Sequence, residues 1–222
     1  LDYIGFKNKN CRVIYNCPMN IFHEHKNMKL NISKKPRLVT HHWSMNPKKG
    51  FHLYEMLDNE ESFEFTYIGR KPANVEFKNH IEPISAEKLA IELPKHDIYI
   101  TASIEEAGAN HVLEGIACGL PVVYHEDGGS INNYCKDYGI KYYSFQEMVE
   151  AINNLCLDYK KYKEKDAELE GFGVGESKGE SITQDSEGQE LYKGHFGDDF
   201  MTRNEFVVSQ NPGAYIEDGE VY

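Results

Sequence analysis

At 222 residues the chain is long enough for one large or two small domains, and a formal charge of −12 argues against nucleic acid as its main partner. No apolar run reaches the roughly 18–20 residues of a membrane span and no basic-then-apolar leader opens the sequence, so a cytoplasmic protein is expected. The five cysteines (Cys11, Cys17, Cys118, Cys135, Cys156) form no CxxC pair and read as reduced thiols, Cys118 in the core, with neither a disulfide framework nor a zinc site.

In chain order, residues 1–6 read as the end of a helix stopped at Gly5. Residues 11–15 form a short strand that Asn16-Cys17-Pro18 turns. Residues 17–36 are a polar connection rich in Asn, Lys and His. His23 and His25 have no carboxylate or thiol cluster beside them, so they read as loop residues rather than metal ligands. From Pro36 onward strands and helices alternate. A strand is expected over 37–42, a helix over 49–57 with Phe51, Leu53, Tyr54 and Leu57 inward, a strand over 63–68 and another over 75–81. Ser85 caps a helix over 86–93 that Pro94 stops. Strands follow over 97–102, 120–124 and 140–143, with helices from near Ala109, over 130–136 and over 145–159.

This alternation predicts an α/β protein: a Rossmann-like, doubly wound parallel sheet with its ligand crevice at the C-terminal ends of the strands. His42, Arg70, Glu106 and Gly128 all follow strands, which places them on one rim. Charge marks a boundary near residue 165. Residues 166–222 hold 14 acidic and 3 basic side chains, and residues 1–165 hold 22 and 21. The tail also carries half of the 18 glycines, including a weak phosphate-loop pattern at 171–175 (GFGVG) with no strand before it. It reads as an acidic, Gly-rich linker leading into a partial further element.

Residues 101–129, TASIEEAGANHVLEGIACGLPVVYHEDGG, organise the chain. A strand ends, a small-residue turn crosses, and a helix begins whose first-turn N–H groups suit a phosphate. Val112, Leu113, Ile116 and Ala117 make its buried stripe, while Asn110 and Glu114 share another face at i, i+4. Glu106 and Glu114 bracket that start, and a carboxylate accepts from two neighbouring hydroxyls, as on a ribose or hexose. The set Glu106-x7-Glu114, then Ala117-Cys118-Gly119-Leu120-Pro121-Val122-Val123, then Gly128-Gly129 resembles the donor-site segment of GT-B glycosyltransferases of the family 4 type. Val13-Ile14-Tyr15-Asn16 resembles the strand that closes the N-terminal half in that family. The resemblance therefore implies that this chain holds the C-terminal, donor-binding half.

Two departures accompany the resemblance. Where relatives carry G-R, a short loop and K-G, this chain has His41-His42-Trp43-Ser44 and then Lys49-Gly50, so Trp43 stands where an arginine is usual. Lys48, Lys49 and Arg70 remain as counter-charges for a diphosphate, and His41 and His42 read as strand-end residues. Asn110 replaces an apolar residue and adds a side-chain donor. The resemblance implies a hexosyltransferase of polysaccharide biosynthesis, retaining, that moves a sugar from a UDP- or GDP-sugar to a glycan or lipid-linked acceptor. It implies no cofactor, no metal and no nucleic-acid partner, and a peripheral membrane association through an N-terminal half. Glu106 and Lys49 are the implied catalytic residues; Glu114, Asn110, Gly108, Lys48, Arg70, Ser44, Gly128 and Gly129 are the implied donor ligands. The implied organisation is 1–36 as the end of the first half and its connection, 37–165 as the nucleotide-sugar domain and 166–222 as the tail. Taken alone, such a half is expected to be inactive. A non-catalytic nucleotide-sugar-binding module and a GT-B sugar-nucleotide epimerase are the alternatives.

Overall fold

A computed structural model describes residues 16–168 and five short strands beyond them. The features expected over 1–6, 11–15 and 171–175 lie outside the described residues. The chain divides into two units, one spanning Pro18–Gly179 and the other joining Leu1–Cys17 to Glu180–Tyr222. The second unit includes a three-stranded antiparallel sheet of β7 (Thr183–Gln184), β8 (Glu190–Lys193) and β9 (Phe200–Thr202), and a hairpin of β10 (Ile216–Glu217) and β11 (Glu220–Val221).

The first unit is a six-stranded, all-parallel sheet in the order β3-β2-β1-β4-β5-β6, with strands β1 (Arg37–His42), β2 (Glu64–Gly69), β3 (His80–Ile81), β4 (Ile98–Thr101), β5 (Val122–His125) and β6 (Gly139–Tyr142). Parallel strands need crossovers that cover both faces, and the middle of the sheet is accordingly buried on both sides. Every residue of β4 and β5 is buried, as are five of the six in β1. On one face α2 (Phe51–Asp58) and α6 (Phe145–Leu157) pack Leu53, Tyr54, Leu57, Met148, Ile152 and Leu155 against Ile98, Ile100 and Val123. On the other face α3 (Ala86–Glu92), α4 (Asn110–Ala117) and α5 (Ile131–Cys135) pack Leu89, Val112, Ile116 and Ile131 against Val39, Tyr99 and Val122. The expected doubly wound α/β architecture is therefore present. Its strand order reverses between β1 and β4, the point at which open α/β sheets bind their ligands beyond the strand ends.

Several element boundaries differ from expectation for local reasons. The strand expected over 75–81 is reduced to His80–Ile81, because the Lys78 N–H is taken by Asp58 Oδ2 at 2.9 Å instead of a ladder. The helix expected from 49 starts at Phe51. Residues Pro47–Lys49 form a 3-10 turn, and Gly50, at φ +76°, reverses the backbone between the two. A Cβ at Gly50 would lie 2.5 Å from the Ala102 carbonyl oxygen, so that approach of β4 to the helix start requires glycine. The connection over 17–36 contains a short helix, α1 (Ile21–Glu24), which seats Phe22 fully buried against the α3–α4 face. The helix expected over 145–159 breaks at Asp158. Its continuation, α7 (Tyr159–Glu168), runs across the expected boundary at 165.

Candidate functional site

Lys48, Lys49, Glu106 and Glu114 lie around the β1–β4 switch point. Lys48 and Lys49 sit in the 3-10 turn after β1, and that turn is tied to the β4 exit by Ile104 N–H donating to the Lys48 carbonyl at 2.9 Å. After β4 the chain runs Ser103-Ile104-Glu105-Glu106, with Glu105 in the left-handed region at φ +55°. The Glu105 N–H donates to the Asp127 carbonyl at 2.8 Å, and Ser130 N–H donates to the Glu106 carbonyl at 2.9 Å. Glu106 thus pairs, as an isolated parallel bridge, with Gly129 of the β5–α5 loop.

This bridge carries the glycine requirement of the double-Gly motif. Gly129 has φ +67°, and a Cβ there would stand 2.6 Å from the Glu106 carbonyl oxygen. Gly128 is buried beneath it, accepting from the Glu106 N–H at 3.3 Å.

Lys49 Nζ donates to Glu106 Oε1, both side chains being largely withdrawn from solvent (15% and 17% exposed). The outer neighbours Lys48 and Glu105 form a second pair in the open. Two cations and two carboxylates therefore neutralise each other at the strand ends. A diphosphate entering here would compete with Glu106 for the largely withdrawn Lys49, and displacing Glu106 would free a carboxylate for hydroxyl groups.

Glu114 lies on the first turns of α4, its Oε2 2.7 Å from His41 Nε2. Gly108 and Asn110 are exposed at the start of α4 beside it, and Ala109 stands at the cap position without a side-chain cap. Ser44 is exposed, its Oγ accepting from Asn46 N–H at 3.2 Å. Arg70 is exposed on the same rim after β2, one strand further from the switch point. Its N–H donates to the His42 carbonyl at 3.0 Å.

Beneath the rim lies a polar layer that pattern reading did not find. His41, His42 and His111 are all buried, with His42 and His111 ring centroids 4.8 Å apart. His42 Nε2 is 2.9 Å from the Tyr54 hydroxyl, which accepts from Ala102 N–H at 2.8 Å, and His111 Nε2 is 3.2 Å from Thr101 Oγ1. Burial, with the neighbouring histidines and Lys49 adding to it, holds the His42 and His111 imidazoles well below their usual range. The Ser103 and Ser130 hydroxyls are buried near the Glu106 loop without a hydrogen-bond partner, donors that a ligand at this rim could engage. Among the described residues no group of three or more His, Cys, Asp or Glu side chains is placed to hold a metal ion, and no helix is long and apolar enough to cross a membrane.

No family model matches the sequence, and no curated protein matches it. Solved structures do. WaaG, a glycosyltransferase involved in lipopolysaccharide biosynthesis, superposes with a TM-score of 0.56 at 12% identity over 73% of this chain and 52% of its own. The apo form of WaaB, a lipopolysaccharide outer core galactosyltransferase, gives a TM-score of 0.54 at 14% identity over 76% and 54%. This chain thus spans about half the length of either structure. At such identities the likeness is one of fold. The protein has the architecture of one Rossmann-like half of a GT-B glycosyltransferase.

Proposed function

We propose that this chain is the donor-binding half of a hexosyltransferase of the family 4 type. It takes a UDP- or GDP-sugar and transfers the sugar, with retention, to a glycan or lipid-linked acceptor. The observation that carries this reading is the convergence of Lys49, Glu106, Glu114 and Gly129 at the switch point of a GT-B half. Lys49, helped by Lys48 or Arg70, balances the leaving diphosphate. Glu106, released from Lys49 as the diphosphate arrives, orients the sugar hydroxyls. Glu114 accepts from the ribose diol, and Gly108, Asn110, Ser44, Gly128 and Gly129 line the donor's path. Neither glutamate needs to act as a general base. The acceptor wall of a GT-B cleft belongs to the other half, and positioning of that kind is worth about 7–11 kcal/mol of a barrier. These 222 residues alone should therefore bind donor and transfer poorly. A cytoplasmic, membrane-peripheral enzyme without metal or cofactor completes the proposal.

Calorimetric titration of UDP, GDP and their hexose conjugates against wild type and two variants tests it. Glu114→Ala should weaken bare nucleotide and nucleotide sugar alike, by about 1.5–3 kcal/mol for the lost charge-assisted hydrogen bonds. Glu106→Ala should weaken only the nucleotide sugar and leave the bare diphosphate unchanged or tighter, since Lys49 is released. Equal effects of Glu106→Ala on both ligands would contradict the sugar assignment. No binding of any nucleotide would remove the donor-half reading.

A further inference from the structure

His41 closes a chain of groups that runs from the core to the rim. Its side chain is 2% exposed, and its two ring nitrogens face different partners, Tyr99 on one side and Glu114 on the other. The Tyr99 hydroxyl oxygen accepts from the His41 backbone N–H at 3.3 Å and lies 3.0 Å from His41 Nδ1. Burial pushes the Tyr99 phenol well up, so it keeps its proton at neutral pH. An amide nitrogen can only donate, so that contact uses a lone pair of the hydroxyl, whose own proton is then available to Nδ1. With Nδ1 accepting, the ring proton sits on Nε2, and Nε2–H points at Glu114 Oε2 over 2.7 Å. Gly115, next to Glu114 on α4, makes room for this line: a Cβ there would stand 2.6 Å from the Tyr99 ring.

We infer that His41 is a positioning residue for Glu114, set in one tautomer by Tyr99, and that it gives the site its selectivity for a ribonucleotide over the 2′-deoxy form. Holding Oε2 fixes the carboxylate and leaves its second oxygen for the two vicinal hydroxyls of a ribose. A 2′-deoxy sugar offers only one of them. The inference rests on the proposed role of Glu114 as the ribose ligand.

The experiment compares UDP with 2′-deoxy-UDP on wild type, Glu114→Ala, His41→Gln and His41→Asn, and follows the ring nitrogens of His41 by 15N NMR. A glutamine amide nitrogen reaches the place of Nε2, whereas an asparagine amide reaches only that of Nδ1. The wild type should prefer UDP by about tenfold or more, the worth of one hydrogen bond to a charged group. His41→Gln should keep most of that ratio, and His41→Asn and Glu114→Ala should bring it near one. The NMR spectrum should show Nε2 protonated and Nδ1 not. Equal losses in the Gln and Asn variants, or a protonated Nδ1, would overturn the inference. A preference that Glu114→Ala abolishes and His41→Asn leaves intact removes the inference alone. No preference in the wild type removes the Glu114 assignment and the inference with it.

Discussion

Lys49 and Glu106 are 57 positions apart, and backbone contacts hold the segments whose side chains form their ion pair. The Glu106 segment is held from below by Gly129, whose left-handed backbone and bare Cα allow a contact that a methyl group would block at 2.6 Å. Gly129→Ala should cost about 1–2 kcal/mol for the conformation alone, and the clash adds to it by moving Glu106. Affinity for a nucleotide sugar should then fall by more than the loss of melting temperature accounts for, while the sheet, read by far-UV circular dichroism, stays intact. An unchanged affinity in a destabilised variant would show that the bridge does not place Glu106. The E-x7-E and double-Gly spacings stand out in the sequence because they are local. The pairing of Lys49 with Glu106 does not, since a salt bridge across three crossovers leaves no trace in periodicity. The partnership of His41 with Glu114, 73 residues away, was hidden for the same reason, and His41 looked like an ordinary end of a strand.

Among the elements, those with a continuous apolar run such as Val122-Val123 in β5 declared themselves, because both faces of a central parallel strand are buried. The ones that sequence reading misplaced were set by a single competing contact: Asp58 capturing the Lys78 N–H, or Gly50 turning the backbone before α2. α7 runs on to Glu168, three residues past the charge shift near 165. Lys163, only 4% exposed, donates from α7 to the carbonyls of Asn27 and Gly119, joining the α1 segment to the turn before β5. Asn27 in turn donates through Nδ2 to the His96 carbonyl at 2.8 Å, and its backbone N–H to the Cys118 carbonyl at the same distance. Lys163→Met keeps the packing of the stem and removes the donor, leaving two buried acceptors unmet at a cost of about 1–3 kcal/mol. Urea unfolding should show that loss without a change in slope. An unaltered midpoint would mean that α7 lies on the domain rather than fastening it.

At the scale of the whole molecule, the alternating pattern was enough to specify a parallel doubly wound sheet, but it could not order the strands or reveal the polar layer that the order creates. Bringing β1 beside β4 sets the His42 and His111 rings against each other, tilted by 59°, in the interior, both uncharged because burial disfavours the imidazolium form. In the unfolded chain each would take up a proton near its ordinary value of about 6.5. Their folded-state values are depressed, so the unfolded state binds more protons and stability must rise with pH in that window. The contribution is complete above about pH 6.5 and is lost as pH falls through the lower, folded-state values, at up to about 2.7 kcal/mol per pH unit for two protons. Asp97 behaves separately. Burial raises its value, but hydrogen bonds from the Arg37 side chain and N–H and from Ser33 outweigh that and hold it low, so its share is lost only below about pH 4. Urea unfolding at pH 7.5 and 5.5 reads the buried histidines together, since burial also holds His96 and His23 low. Wild type should be markedly less stable at the lower pH, and His42→Gln with His111→Gln should reduce the difference even where it lowers stability overall. A wild-type stability equal at both pH values would mean that the two imidazoles are already charged in the fold or are reached by water, and the dry layer beneath the site would have to be abandoned.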